Sequence, residues 1–239
     1  MKLAIMGKGA MGQLVYDLAC GDCRFTKVDI LEPIEGESLF ELEERPDIII
    51  DFSHPQVLEF IGAYLKRQDG QTGVVFATTG YTTEEEEILR SFGEYGPVIQ
   101  SYNYSYGINT MKKILSMAVP LLEHRGDMEI IEKHHRNKVD APSGTALMLA
   151  TYCNPEGNRQ LLCGRKGDHL LRQGEIGIHS IRGGSIFGEH TVLFALDNEV
   201  LEIRHTAFSK EIFAKGALDA ALWLKGKKPG IYSVEEVFY

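Results

Sequence analysis

Short apolar, β-branched runs alternate with longer stretches whose apolar residues recur three and four apart through the first part of the chain. Lys2–Met6 predicts a buried strand that stops at Gly7, and residues 11–19 follow with helical spacing. Similar runs at Lys27–Leu31 and at residues 47–52, 73–79 and 97–102 predict further strands, with helix-like segments between most of them. Such alternation predicts a parallel sheet with helices on its faces. The helix after the fourth strand is expected to open on a cap between Thr83 and Glu86. Residues 84–87, all glutamate, then read as a first helical turn in a favourable dipole rather than a ligand site.

After Asn103 the rhythm changes. Residues 109–123 predict a helix bent or ended near Pro120, residues 127–135 a strand, residues 142–153 another helix, and residues 154–175 a long surface loop. Three strands follow at Ile176–Arg182 and at residues 185–196 and 200–208. They are joined by Gly183-Gly184 and Asp197-Asn198 turns, short enough to predict antiparallel neighbours. The last helix, residues 210–225, carries Ile212, Phe213, Ala217, Ala220, Ala221 and Leu224 on one side and is expected to pack back on the first domain. The expected fold is therefore α/β: a Rossmann-type, parallel-sheet dinucleotide-binding domain made of residues 1–105 and 210–239. A second, α+β domain of residues 106–209 has a mixed open sheet.

The turn after the first strand, Gly7-Lys8-Gly9-Ala10-Met11-Gly12, fits G-x-G-x-x-G between a strand and a helix. Glycines there let backbone approach a pyrophosphate while the helix N-terminus offers unpaired N–H donors, although a purely structural turn is the alternative. Glu32, twenty positions after Gly12, ends the second strand and can accept both ribose hydroxyl protons of an adenosine. Pro33 stands where an NADP-binding protein often carries Arg, and Lys8 is the one cation placed to approach a 2'-phosphate. NADH is thus expected to serve at least as well as NADPH.

Composition narrows the partners. The chain has 239 residues, 44% of them hydrophobic, with 25 Lys plus Arg against 34 Asp plus Glu and a formal net charge of -9. Neither nucleic acid nor an anionic membrane suits that balance, so a bound anion must be met by a local cluster of donors. No apolar run approaches the roughly 18 residues of a membrane span, and a cytoplasmic location is expected. Cys20-Gly-Asp-Cys23 has C-x-x-C spacing, but Cys153 and Cys163 form no second pair of that kind; no metal is expected, and free thiols are the plainer reading.

One cluster of donors stands out in EKHHRNKVDAPSGTAL, residues 132–147. In strand geometry Glu132 and His134 share one face while Lys133 and His135 share the other. Asp140-Ala141-Pro142 reads as a helix entry, after which Ser143, Gly144 and Thr145 present backbone N–H groups. Cationic side chains on one side and a helix N-terminus on the other would make an anion site suited to a small dicarboxylate, with either histidine able to donate a proton near neutral pH. Taken alone, the run also reads as a solvated strand end. H-E-x-x-H is absent, which speaks against a metal.

EKHHRNKVDAPSGTA closely resembles the signature of the dihydrodipicolinate reductase family of bacterial lysine and diaminopimelate biosynthesis. The resemblance extends along the chain through GKGAMG, IDFSHP (residues 50–55), ATTG (77–80), YNYSYGIN (102–109) and GEHT (188–191). It implies NADH- or NADPH-dependent reduction of 4-hydroxy-tetrahydrodipicolinate, with His134 as proton donor and acceptor and Lys138 as proton donor. It further implies that His135, Lys138, Gly144 and Thr145 hold the substrate carboxylates. Ala77, Thr78, Thr79 and the segment Ser101, Tyr102, Asn103 and Tyr104 would line the nicotinamide. Gly7 to Gly12, with Lys8, Ala10 and Met11, and Glu32 would hold the rest of the cofactor. A homotetramer assembled through the second-domain sheets is implied as well.

Several positions depart from the commonest pattern: the glycine turn is one residue shorter and lacks an arginine, Pro33 follows Glu32, Ala77 replaces a frequent glycine and Asn137 a frequent histidine. They bear on cofactor preference and leave His134 and Lys138 untouched. The competing readings are another NAD(P)-dependent dehydrogenase of a small acid and a non-catalytic dinucleotide-sensing protein; the intact H-H-x-x-K with D-A-P-S-G-T favours the reductase.

Overall fold

A computed structural model describes residues 1–167 and 171–239. In chain order the first part holds β1 (Lys2–Met6), α1 (Ala10–Cys20), β2 (Lys27–Leu31), β3 (Ile48–Asp51), α2 (Leu58–Leu65), β4 (Gly73–Phe76), α3 (Thr83–Ser91) and β5 (Pro97–Gln100). Then come α4 (Tyr106–Leu122), β6 (Gly126–His134), α5 (Gly144–Cys153), β7 (Leu161–Cys163), β8 (Ile176–Arg182), β9 (Gly188–Leu196) and β10 (Glu199–Ala207). The chain closes with α6 (Glu211–Leu224), β11 (Gly230–Tyr232) and α7 (Glu235–Phe238). Two compact units result, one of Met1–Tyr106 with Lys210–Tyr239 and one of Gly107–Ser209.

The first unit is a six-stranded sheet in the order β11-β5-β4-β3-β1-β2, every pairing parallel. Strand alternation divides its apolar residues between two cores. Leu3, Ile5, Ile48, Ile50, Val75 and Ile99 face one side with Val15 and the alanines of α6, whereas Ala4, Met6, Ile49, Val74, Phe76 and Val98 face the other with Ile61, Leu65, Leu89 and Phe92. Each such side chain, fully buried, contributes about 1.5–3 kcal/mol relative to exposure. Small residues let α6 lie close: a Cβ on Gly216 would stand 1.8 Å from the Tyr104 carbonyl oxygen. α6 does pack on this first sheet, against α1, β3, β4 and β5. The short strand β11, which then pairs with β5, is not anticipated from sequence, because three residues carry no readable periodicity.

The cap of α3 falls one residue earlier than expected. Thr82 Oγ1 accepts from Glu85 N at 3.2 Å and Glu85 Oε2 accepts from Thr82 N at 2.7 Å. Two threonines precede four glutamates, so local chemistry permits either register. Glu86, released from the cap, instead accepts from the Tyr102 hydroxyl and from Arg90 Nη2.

The second unit is a five-stranded mixed sheet in the order β10-β9-β6-β8-β7. Its centre, β6, sends Met128, Ile130 and Glu132 to a buried face. Met128 and Ile130 pack there with Met111, Leu115 and Val119 of α4 and Ala146, Leu149, Ala150 and Cys153 of α5. The Asp197-Asn198 turn does join antiparallel neighbours, β9 and β10, with Asn198 at φ 62°. The Gly183-Gly184 turn does not: β6 lies between β8 and β9, parallel to the first and antiparallel to the second. That connection crosses the end of β6, where Gly183 N donates to His134 O at 2.9 Å and Arg136 N to Gly184 O at 3.2 Å.

Other differences are smaller. α4 starts at Tyr106 and runs two residues beyond Pro120, and α5 starts at Gly144 rather than Pro142. The predicted loop of residues 154–175 contains β7; its residues 168–170 lie outside the described residues. Among the described residues no helix is long and apolar enough to cross a membrane, and no group of three or more His, Cys, Asp or Glu could hold a metal. All four cysteines are free, with Cys20 and Cys23 exposed and the Cys153 thiol pushed up to about 12 by burial.

Candidate functional site

In the first unit, the residues singled out for a dinucleotide gather at the carboxyl ends of the parallel strands, beside the point where the strand order reverses between β1 and β3. Open α/β sheets bind ligands in that place. The three glycines of the turn differ physically. Gly7 has φ +97°, and a Cβ there would meet Phe52 O at 2.5 Å. Gly12 admits no side chain because a Cβ would stand 1.8 Å from Gly7 O. Gly9 has nothing within 4 Å of such an atom and begins α1 without a side-chain cap. Two glycines are thus required by the protein's own packing, and the third opens an uncapped helix end to an incoming anion.

Beyond that turn, Glu32 Oε2 accepts from Lys8 N at 3.0 Å, and Glu32 N donates to Glu37 Oε2 at 2.7 Å. Lys8 Nζ is paired with Glu37 Oε1, so the one cation expected near a 2'-phosphate already has a carboxylate partner. Glu37 draws no attention in sequence because it lies in a loop; its proximity to Lys8 arises only when β1 and β2 pair. Ala10 and Met11 open the first turn of α1.

At the ends of β4 and β5, Ala77 and Thr78 are buried and Thr79 is exposed. Thr78 Oγ1 accepts from Ser53 N at 2.9 Å. Beneath them Asp51 is wholly buried; burial raises its carboxyl against hydrogen bonds from Ser53, Thr78 and Tyr81. Ser101 Oγ donates to Asn103 O at 3.0 Å, and Tyr102 is exposed. Tyr104 departs from its partners in the segment: it is 2% exposed, belongs to the first core, and its hydroxyl donates to Phe76 O at 2.7 Å. Its ring braces the ends of β4 and β5 and is not presented to a ligand.

The second unit gathers the histidine cluster at the end of β6. His134, the last residue of that strand, is directly opposite Arg182 in β8, while Glu132 is opposite His190 in β9. Glu132 is 0% exposed. Its Oε2 meets His134 Nδ1 at 2.5 Å, Arg182 Nη1 and Nη2 donate to Oε2 and Oε1 at 2.7 Å each, and Ser143 N donates to Oε1 at 3.2 Å. Ser143 therefore does not offer its N–H to a ligand. It caps α5 instead, its Oγ accepting from Ala146 N at 3.2 Å and lying 3.0 Å from His190 Nε2.

The remaining cationic residues follow directly. Lys133 pairs across the sheet with Glu189 at 2.6 Å. His135 is half-buried just past the strand, and its carbonyl accepts from Lys138 N at 3.1 Å. Lys138 Nζ lies 2.8 Å from Asp140 Oδ1. Arg136, for which the sequence suggests no role, is exposed. Gly144 and Thr145 form the first turn of α5, and a Cβ on Gly144 would meet nothing within 4 Å. That helix end thus faces space free of this unit's own atoms. Gly188 gives the His134 ring room, since a Cβ there would come within 3.4 Å of His134 Nε2.

Electrostatics decide the resting protonation. Burial alone would raise the Glu132 carboxyl, but hydrogen bonds from Arg182, Ser180 and His134 outweigh it and hold the group at about 2. Burial lowers the His134 imidazole, against the pull of Glu132, and Lys138 and Arg182 add to the lowering. Because the guanidinium already balances the carboxylate, His134 rests neutral, its Nδ1–H donated to Glu132 and Nε2 left to exchange a proton. Burial, with His134 beside it, pushes His190 down to about 3. A neutral His190 keeps its Nε2 in a hydrogen bond with the Ser143 hydroxyl.

Stability of this unit is expected to fall with pH. His190 takes up a proton on unfolding below its ordinary 6.5 but stays neutral in the fold to about 3, so the unfolded state binds more protons and stability is lost as pH falls across that window. Glu132 adds a loss as pH falls from its ordinary 4.5 through about 2. Urea midpoints compared at about pH 8 and about pH 5.5 should drop at the lower value, and His190→Gln should reduce the difference, the remainder coming from His134 and His205, which burial also lowers. Equal midpoints in the unmodified protein would contradict the neutral, buried His190.

Glu132, Arg182, His190 and Glu37 escape a reading of sequence alone. The signal for Glu132 is present in hindsight: Met128, Ile130 and Glu132 alternate, which puts an acid where the stripe calls for an apolar residue. Arg182 carries no such mark and is found only through strand register; His190 lies in the GEHT run, but its place opposite Glu132 comes only from register.

Known proteins resemble the chain along its whole length. Two family models match it, "Dihydrodipicolinate reductase, N-terminus" over residues 1–104 and "Dihydrodipicolinate reductase, C-terminus" over residues 107–238. A 4-hydroxy-tetrahydrodipicolinate reductase of Exiguobacterium sibiricum is 43% identical over 243 residues, covering 100% of this chain and 96% of its own. One from Clostridium novyi is 39% identical over 240 residues, covering 96% and 94%. Among solved structures, a dipicolinate-bound dihydrodipicolinate reductase from Paenisporosarcina sp. shares the fold with a TM-score of 0.74 at 22% identity, covering 98% of this chain and 97% of the other. An engineered D-amino acid dehydrogenase bound to NADP+ shares it more distantly, with a TM-score of 0.53 at 10% identity over 99% and 93% of the two chains.

Proposed function

The chain belongs to the dihydrodipicolinate reductase family and catalyses NAD(P)H-dependent reduction of 4-hydroxy-tetrahydrodipicolinate, and from that membership we propose how its two units divide the work. The first unit, residues 1–105 with 210–239, holds the dinucleotide; the second, residues 106–209, binds the dicarboxylate and moves the proton. The observation that carries the assignment is the meeting, at one end of β6, of His134, Lys138 and the N-terminal turn of α5 beside open space.

Gly7, Gly9 and Gly12 with Ala10 and Met11 would carry the pyrophosphate, Glu32 the adenosine ribose, and Ala77, Thr78, Thr79 and the Ser101–Asn103 segment the nicotinamide side. The uncapped start of α1 fits such a group. Loss of water from 4-hydroxy-tetrahydrodipicolinate gives the conjugated cyclic imine, to which NAD(P)H, when bound, would supply a hydride. Each turnover also takes one proton. His135, Gly144 and Thr145, with Lys138, hold the two carboxylates, and the arriving negative charge raises the proton affinity of His134. His134 Nε2 then delivers its proton as enamine character develops on the ring, with Lys138 as second donor.

Glu37 points to NADH being used at least as well as NADPH, since it occupies Lys8 and adds a second acid beside Glu32. Releasing Lys8 in Glu37→Ala should lower the KM for NADPH relative to that for NADH by roughly 10-fold, the equivalent of about 1.4 kcal/mol. An unchanged ratio would remove Glu37 from cofactor choice.

Assembly into a homotetramer through the second unit is supported by β10, a nine-residue edge strand that leaves Val200 and Leu201 exposed. Long edge strands with exposed apolar residues are usually covered or blunted by charges. Light scattering should give four times the chain mass. The activity itself is tested by following NADH and NADPH consumption with freshly made dihydrodipicolinate; no consumption of either would reject the reading.

A further inference from the structure

Glu132 is a fully buried carboxylate at the end of an apolar stripe, and such a group persists only when every lone pair is met. Arg182 meets two of them with a planar fork, at 2.7 Å on each side. The same guanidinium reaches further: Arg182 Nη2 donates to the Asp140 carbonyl oxygen at 2.5 Å, and the Asp140 carboxylate holds Lys138 Nζ at 2.8 Å. One side chain in β8 is therefore bonded to both partners of the two proton-transfer residues, to Glu132 behind His134 and to Asp140 behind Lys138.

Resting on that reading of His134 and Lys138, we infer that Arg182 is the positioning residue of the reaction, fixing His134 through Glu132 and Lys138 through Asp140. Strand register makes this possible, because parallel pairing sets Arg182 beside His134. Chemistry makes it specific. A guanidinium can bind both carboxylate oxygens and a third acceptor in one plane, whereas an ammonium has the charge without the fork.

Arg182 also sets the charge that His134 experiences. The groups facing that imidazole are Glu132 on its own strand, Arg182 on β8, His190 on β9 and Lys138 from the following loop. Remove the guanidinium and the carboxylate is unbalanced, so His134 is held as imidazolium to higher pH. Position and charge can be separated. Arg182→Lys keeps the charge and loses the fork; Arg182→Gln loses both.

The experiment measures kcat, KM and the pH profile of kcat for the unmodified enzyme, Arg182→Lys, Arg182→Gln, Asp140→Asn and His134→Gln, with thermal melts to identify folded variants. Arg182→Lys should lose roughly 10-fold in kcat with its profile in place, and Arg182→Gln on the order of 10²-fold with the apparent pKa moved upward. Asp140→Asn, at an exposed position that leaves the buried ion pair whole, should lower kcat several-fold. In a His134→Gln background the Arg182→Lys loss should shrink to the part that runs through Lys138, because residues that act as a unit are not additive. A folded Arg182→Lys with normal kcat overturns the inference; so does a loss in kcat for Arg182→Lys that is undiminished in the His134→Gln background. If Arg182→Gln does not fold, Arg182→Lys and Asp140→Asn decide, and normal kcat in either overturns the part that it tests. Should His134→Gln itself keep normal kcat, the proton-transfer reading fails first. If His134→Gln loses activity while the Arg182 variants keep theirs, the positioning role alone is wrong.

Discussion

His134→Gln should lower kcat by on the order of 10²-fold or more while substrate KM changes much less. Glutamine can still donate a hydrogen bond to Glu132, so the buried carboxylate keeps its partners and the unit is expected to fold. What is lost is a nitrogen that can take and release a proton at neutral pH. The variant's own kcat should be flat across the pH range over which the unmodified enzyme titrates, because the group responsible for that limb has gone. Steady-state kinetics with NADH and freshly made dihydrodipicolinate test it; a variant with near-normal kcat would strip His134 of its catalytic role.

Gly12→Ala is expected to damage the first unit most. Its Cβ would stand 1.8 Å from Gly7 O and 2.9 Å from the Gly7 carbonyl carbon, both backbone atoms with no rotamer to yield. Helix α1 must then shift away from the end of β1, at a cost of about 3 kcal/mol and with cofactor affinity reduced on the order of 10²-fold. Gly9→Ala makes the comparison informative. No protein atom lies within 4 Å of that Cβ, so stability should stay near that of the unmodified chain while NADH binding weakens. Thermal melts and NADH fluorescence titrations on both variants measure the pair. Normal NADH binding by Gly9→Ala would place the dinucleotide elsewhere.

The two variants show how far local pattern carries. G-x-G-x-x-G between a strand and a helix identifies the turn, but it treats three glycines alike. Their different reasons emerge only when Phe52 and Gly7 are brought against them. Likewise the alternation of Leu3 and Ile5 with Ala4 and Met6 marks a strand buried on both faces, whereas the sheet order that divides those residues between two cores depends on pairing with β2 and β3. The capping box of α3 is legible as a motif and ambiguous by one residue, since hydrogen-bond geometry chooses between Thr82 and Thr83.

In the second unit the histidines, the lysine and the glycine-threonine turn stand within one continuous stretch, and their chemistry follows from residue type. The Glu132–Arg182 pair does not, because its members are fifty positions apart and meet through the pairing of β6 with β8. A short glycine turn between β8 and β9 suggests that they are neighbours. Burying the apolar face of β6 in the middle of the sheet separates them and, with it, delivers Arg182 and His190 to either side of the same strand.

By itself, then, the sequence determined the longer strands and helices and the chemical inventory of the site, since those depend on periodicity and side-chain type within a few residues, whereas the three-residue strands β7 and β11 do not. The tertiary structure alone decided that Glu132 is wholly buried, which cation balances it, that Lys8 is held by Glu37 and that Tyr104 is a core residue. Such partnerships are set by strand register and burial between distant segments, and no local pattern encodes them.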